Sequence, residues 1–447
     1  MKNSVISHKK STKYLIFKKF VDIILRQKLK KGEKMLKKLS LAALVAMGGM
    51  SFANATPLTE AIKNVNVNGY LRLRFYNETP DKGDGYNRWR TNAKFVFNIP
   101  VAENLSFVWR VSDQTDVRDR ATSNRMAKVD VTLLDNLFFL KYSANGLNAI
   151  VGKIPVATPI TSADPQTTAH GAGAIATYNV GNGLTVAAGY VDALTNVDDV
   201  VLGEKTVYSL NPNTGVVEAD TVKVAPKTVS NDIYTAAAIY SNEAFGDAQV
   251  WYFNATGLID YEWVARLNLN LLKDYGVALH LDGAISNLDD DVADSLGNTA
   301  DDSHTYYNVS AKFAMDQFCA KLGWAQTNDK VGVVELSVDS PIAAVGTTAQ
   351  RYAIANDTDA AMLYGKAGYQ VDPKTNVYVA AANIHDQAKA NSAEYVLGGS
   401  YKVNKKFGLS AYYSVLDYSD DAEAVKVKGK QKYIDNNEFR FEAKYTF

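Results

Sequence analysis

The sequence predicts an all-β protein, a transmembrane antiparallel β-barrel of 18 strands with short periplasmic turns and long extracellular loops. Three observations carry that prediction. First, the closing stretch alternates without a break: Phe439, Phe441, Ala443, Tyr445 and Phe447 share one side of a period-two strand, and Glu438, Arg440, Glu442, Lys444 and Thr446 share the other. A strand of this kind suits lipid on one face and water on the other, and the chain stops on its aromatic residue. Second, the same alternation recurs along the chain, with connections that are short and long by turns. Third, no apolar run reaches the ~20 residues a membrane helix needs, whereas a barrel strand spans with ~9–11.

Residues 1–34 are basic, with apolar patches at 14–17 and 23–25, and fit no export signal. They are expected to be an upstream extension. Lys31-Gly32-Glu33-Lys34 is what a purine-rich ribosome-binding site gives when translated just before a start at Met35; a basic amphipathic leader is the alternative. Residues 35–55 read as a signal peptide, with Lys37-Lys38, an apolar run over 39–50 and Ser51-Phe52-Ala53-Asn54-Ala55 giving cleavage after Ala55. Residues 56–447 are then the barrel domain, exported to the outer membrane of a Gram-negative cell.

The first strand, 65–76, places Val67, Leu71, Leu73 and Phe75 against Asn66, Asn68, Arg72 and Arg74. The second, 87–99, sets Trp89, Ala93, Phe95, Phe97 and Ile99 against Arg88, Arg90, Asn92, Lys94 and Asn98. A turn holding Pro100 and Asn104 leads into Leu105, Phe107, Trp109 and Val111, which alternate with Ser106 and Arg110. Further strands are expected at 128–142, 147–154, 173–180, 184–192, 232–241, 247–255, 260–271 and 276–287. The series closes with 304–315, 318–326, 361–370, 376–385, 393–402, 407–417 and 433–447.

Short turns at 181–183, 272–275 and 403–406 alternate with longer polar segments at 113–127, 155–172, 193–231, 288–303, 327–360 and 418–432. A β-sandwich has no reason to keep such an alternation, and a membrane barrel does. The segments at 193–231 and 327–360 are expected to be accessible from outside the cell. In lipid every backbone amide needs a partner, so the first strand must pair with the last. An even strand count returns both ends to the periplasmic side. Tyr401, Tyr413, Tyr433 and Tyr445 fall near strand ends on the outward face, as an interfacial girdle requires. Eighteen strands enclose more space than side chains fill, which leaves an aqueous channel.

Composition excludes other classes. Residues 1–55 hold 13 of the 48 Lys and Arg but 2 of the 48 Asp and Glu, so 56–447 is acidic by about 11 charges. Nucleic acid is therefore not an expected partner. The single cysteine, Cys319, rules out an internal disulfide, and no Cys or His cluster has metal spacing. Of His170, His280, His304 and His385, only His280 has an acid, Asp282, on the same strand face. With no placed nucleophile or activated water, no enzyme is expected.

The stretch Thr56-Pro57-Leu58-Thr59-Glu60-Ala61-Ile62-Lys63-Asn64-Val65-Asn66-Val67-Asn68-Gly69-Tyr70-Leu71-Arg72-Leu73-Arg74 resembles the start of mature Campylobacter-type major outer membrane porins. Gly152-Lys153, followed by an aspartate-bearing loop, and the terminal Lys444-Tyr445-Thr446-Phe447 are similar to that family too, though many porins share them. The resemblance implies an eighteen-stranded homotrimeric diffusion channel in outer-membrane lipid. It also implies a loop folded into the lumen, and calcium at the constriction as the one candidate cofactor, with none required. Passage of ions and small hydrophilic solutes with a weak cation preference is the expected function. A substrate-selective channel, or a barrel that also acts as a surface adhesin, is the alternative.

Arg72, Arg74, Arg88, Arg90, Lys94 and Arg110 share the inward face of the first three strands with no acid among them, and so form a cationic wall patch. The alternative is ordinary solvation of a polar lumen. The opposing acid is expected from the proline-rich segment 154–165, where porins of the resembled family fold their third loop inward. Asp164 is the candidate eyelet carboxylate and candidate calcium ligand; calcium takes about six to eight oxygens, so it makes no site alone. Asp289, Asp290, Asp291, Asp294, Asp301 and Asp302 lack EF-hand spacing and read as a solvated loop. Tyr445 and Phe447 are the expected assembly signal.

Overall fold

The computed structural model describes residues 64–81, 85–120, 128–161, 170–195, 204–210, 217–223, 232–296, 302–336, 340–342, 349–350, 354–386, 391–419, 426–427, 430–431 and 435–447. Almost all of the described residues belong to one compact unit, the barrel. Its first nine strands are β1 (Asn66–Pro80), β2 (Tyr86–Ala102), β3 (Leu105–Arg120), β4 (Lys128–Ala144), β5 (Leu147–Pro155), β6 (His170–Gly181), β7 (Leu184–Thr195), β8 (Ile233–Asn242) and β9 (Gly246–Ala255). The other nine are β10 (Ile259–Leu272), β11 (Val277–Leu288), β12 (Ser303–Met315), β13 (Phe318–Thr327), β14 (Ala360–Gln370), β15 (Thr375–Asp386), β16 (Ser392–Lys402), β17 (Phe407–Tyr418) and β18 (Asn436–Thr446).

Each strand pairs antiparallel with its sequence neighbours, and β1 pairs with β18 from Tyr70↔Thr446 to Pro80↔Asn436, closing the ring. Closure leaves no open edge, which is what lipid demands of a sheet. All eighteen expected strands are present, several extended at their loop ends. Two segments expected as plain loops carry small hairpins, Glu204–Leu210 with Val217–Lys223 and Lys426–Val427 with Lys430–Gln431. A third carries the short helix Asp290–Leu296.

The hydrophobic arrangement is inverted relative to a water-soluble protein. Leu71, Trp263, Leu322, Leu363 and Leu397 stand exposed on the outer wall, where period-two alternation directs them. Tyr178, Tyr240, Phe318, Tyr369, Tyr401 and Tyr445 are exposed near the turn ends of their strands and form one aromatic belt. Tyr413 is exposed as well but sits mid-strand, and Tyr433 lies outside the described residues. Tight turns draw on residues that tolerate positive φ: Asn145-Gly146 and Asn182-Gly183 each place both central residues there, as a two-residue hairpin requires. In the turn between β14 and β15, the Asp372 carboxylate accepts the Lys374 N–H at 2.7 Å, the Thr375 N–H at 2.9 Å and the Thr375 hydroxyl at 2.8 Å. These donors, the Lys374 N–H first, hold it below the usual carboxylate range.

The packed core lies inside the ring. Ile160 from the segment after β5, and Val333, Val334, Ile342 and Ile354 from the segment after β13, have no exposed surface. Burying an aliphatic side chain of this size contributes ~1.5–3 kcal/mol. Part of the 327–360 segment, expected as an accessible outer loop, is instead covered inside the ring: Val333, Val334, Leu336, Ile342, Ile354 and Ala355 are buried, as apolar residues withdrawn from water must be.

Candidate functional site

The lumen takes its character from three parts: the two inward segments, the wall at the β18–β1 seam, and the wall opposite. Backbone hydrogen bonds join the segments to each other, Leu336 N–H to Ile160 O at 2.8 Å and Ile342 N–H to Pro159 O at 3.0 Å. The longer one is fastened to inward-facing strand residues. His304 on β12 lies between the carbonyls of Lys330, 2.6 Å from Nδ1, and Ala355, 2.8 Å from Nε2. Asn356 accepts the N–H groups of Val334 and Glu335 at 2.7 and 3.0 Å and donates to the Glu335 carbonyl at 3.0 Å. Further round the ring, Glu394 on β16 accepts the N–H groups of Ala349 and Gln350 at 3.0 and 2.8 Å. Gln350 Nε2 donates to Ser414 Oγ on β17 at 2.6 Å, and Asn436 Nδ2 on β18 donates to Gln350 Oε1 at 2.7 Å. The segment therefore runs along the wall from β12 to β18 and narrows the bore.

At the seam, strand register brings together cations from both ends of the chain. Arg72, Lys94 and Lys444 approach the ring of Tyr70 at 5.3, 5.3 and 4.6 Å, and Arg88 and Arg90 approach Tyr76 at 4.2 and 6.0 Å. Arg440 stands 4.4 Å from the Tyr412 ring. Arg72 Nη2 donates to Asn92 Oδ1 at 3.4 Å, and Arg110 is 5 % exposed on β3. The cationic patch exists, but it is not free of acid. Arg74 Nε meets Glu442 Oε2 at 2.5 Å, and Arg88 Nη2 lies 3.5 Å from Glu78 Oε1. Glu438 accepts the Tyr412 hydroxyl, and Glu78 that of Tyr86.

Sequence reasoning missed these acids for two reasons. β1 continues past Tyr76 to include Glu78, and Glu438 and Glu442 reach the patch across a pairing that joins residues 368 apart. The signal was present in the alternation of the last strand; what it lacked was the register that sets Glu442 opposite Arg74.

Opposite the seam, nine strands round the ring, β10 and β11 carry a second network. Arg266 Nε donates to Asp282 Oδ1 at 2.7 Å, His280 Nε2 lies 2.6 Å from Asp282 Oδ2, and His280 Nδ1 lies 2.5 Å from Asn268 Oδ1. The shared strand face read for His280 and Asp282 is therefore observed, within a wall network.

Asp164 lies outside the described residues. Among the described residues no three His, Cys, Asp or Glu side chains converge on a point that could hold a metal ion. Tyr445 and Phe447 complete the closing strand: the Phe447 N–H donates to Gly69 O at 3.2 Å, and the Phe447 ring packs 5.6 Å from Phe95 and 6.2 Å from Tyr445.

A family model described as Campylobacter major outer membrane protein matches residues 34–447. Among curated proteins none matches. Solved structures of similar fold include Pseudomonas aeruginosa OccK5 (OpdH), at 12 % identity over 86 % of this chain and 98 % of that one, TM-score 0.59. Acinetobacter baumannii OccAB1 aligns at 12 % identity over 86 % and 97 %, TM-score 0.61. Pseudomonas aeruginosa OpdK, solved with vanillate, aligns at 12 % over 86 % and 99 %, TM-score 0.61. At these identities the likeness is one of fold.

Proposed function

The chain belongs to the Campylobacter major outer membrane protein family, and from that premise we propose that it is a porin, a water-filled channel through which ions and small hydrophilic solutes diffuse. The observation that carries the reading is the closed ring of eighteen strands with an apolar outer face and charged side chains within. A weak cation preference belongs to the same proposal and rests on the acid excess of residues 56–447. Swelling of liposomes containing the purified protein, in sugars of graded size, tests it: entry up to a size limit supports diffusion, and no entry of any sugar overturns it. Reversal potentials in a KCl gradient test the preference.

Permeation follows from the wall. Charged groups keep the bore hydrated, and the two inward segments set its width. Ions crossing beside Arg74 and Glu442 meet both signs within a few ångströms, so discrimination between them is weak. Homotrimer assembly and cleavage after Ala55 belong to this proposal as well; cross-linking and amino-terminal sequencing test them. Calcium at Asp164 would need further oxygens around that residue, and loss of radioactive calcium binding in Asp164→Asn tests it.

A second reading, a substrate-selective channel, is favoured by the extent of the inward segment between β13 and β14. OpdK, of similar fold, was solved with vanillate. A saturable solute conductance would distinguish selective transport from general diffusion.

A further inference from the structure

The turn-side half of the lumen holds a row of three lysines. Lys312 on β12 pairs directly with Lys321 on β13, and Lys321 pairs directly with Lys366 on β14. Leu322 and Leu363, one residue further along β13 and three before Lys366 on β14, are exposed on the lipid face, so all three lysines point inward. Neighbouring strands lie about 4.8 Å apart, which puts three like charges in one short line. Like charges directly opposite one another destabilise a sheet, and among the described residues none of the three has a carboxylate within 4.0 Å. The nearby acid, Asp282, is already engaged by Arg266 and His280.

The row is also built to stay open. Lys321 Nζ lies 5.1 Å from the Tyr364 ring and Lys366 Nζ lies 4.0 Å from the Tyr378 ring. The hydroxyl end of each ring passes over a glycine: a Cβ at Gly323 would stand 2.3 Å from Tyr364 Cζ, and one at Gly398 would stand 2.4 Å from Tyr378 Cζ. The Tyr364 hydroxyl is turned to the wall, donating to Asn308 Oδ1 at 2.7 Å. The row is flanked by Ala278 and Ala380, which add no bulk. The result is a shallow trough with ammonium groups over aromatic faces, on the turn side of the inward segments fastened at His304 and Tyr306.

We propose that Lys312, Lys321 and Lys366 form a binding station for small multivalent oxyanions, di- or tricarboxylates or phosphates, that have passed the two inward segments. A monovalent anion meets one ammonium at a time, whereas a multivalent one spans two or three and relieves their mutual repulsion. This rests on the channel reading and is compatible with a weak overall cation preference, since the acid excess acts on all ions and the row holds only anions that bridge it.

The test is block of KCl current through single channels in planar bilayers, with sodium citrate in one arm and sodium pyrophosphate in the other. Saturable block by either anion is expected, the two arms separating carboxylate from phosphate preference. Lys312→Gln/Lys366→Gln is expected to raise the half-blocking concentration about tenfold, the effect of losing charge-assisted contacts, and Lys312→Arg/Lys366→Arg to restore it. Lys366→Gln alone serves should the double variant fold poorly. Channels that conduct KCl but show no saturable block by either anion, or block that is equal in wild type and the Gln variants, would overturn the station while leaving the channel reading intact. Absence of KCl current in folded protein would overturn both.

Discussion

Arg74 and Glu442, 368 residues apart in sequence, meet at 2.5 Å across the line where the first strand closes on the last. Both side chains are mostly withdrawn from solvent, at 17 and 16 % exposure, and Arg74 also donates to the Tyr76 hydroxyl at 3.3 Å. The pair thus belongs at once to the closure of the barrel and to the charge of its bore. Glu442→Gln is expected to cost about 1.5–3 kcal/mol, the range for hydrogen bonds to charged groups. Urea unfolding followed by heat-modifiable mobility reads the stability change. In the same variant the reversal potential should move toward anions, and an unmoved potential would show that the pair does not face the ion path.

Replacing Arg72 and Arg74 by Gln should shift the channel toward cations, because two positive groups are lost and Glu442 is released from its partner. Asp164→Asn should shift it toward anions. Both shifts are expected to grow in dilute salt, since the Debye length is only about 10 Å at 0.1 M. Unchanged reversal potentials in both folded variants would reduce the arginines to ordinary solvation of the wall.

Deleting Phe447 removes two backbone hydrogen bonds with Gly69 and the ring contact with Phe95 at 5.6 Å. Folded protein in the outer membrane should fall while export continues. Normal amounts of the heat-modifiable form would count against a role for this residue in closing the ring.

Asn356→Ala removes the three hydrogen bonds that hold the inward segment in its turn, each worth about 1 kcal/mol net. Single-channel conductance and the size limit for sugars should both rise. Identical conductance in a stably folded variant would mean that other anchors, among them His304 and Gln350, suffice.

A cysteine at Val334, which has no exposed surface, should resist a bulky membrane-impermeant maleimide on intact cells. A cysteine between residues 204 and 223 should react. Equal labelling at both positions would place the segment after β13 outside the bore.

Much of this was legible in the sequence because a strand's two faces are a local property. Trp89 against Arg90, or Trp263 against Glu262, needs only the pleat to be sorted into lipid and lumen. All eighteen strands, the closing role of the last and the inward direction of the arginines followed from that alternation together with the need of every amide for a partner in lipid. Register is another matter, because it relates residues far apart in the chain. The sequence cannot say that Glu442 stands opposite Arg74, or that Lys312, Lys321 and Lys366 fall in one line, until the ring has closed and each strand has taken its offset. The segment after β13 read as an outer loop for a related reason: Val333, Val334 and Ile342 lack strand periodicity, and only the enclosed bore supplies the cover that draws them in.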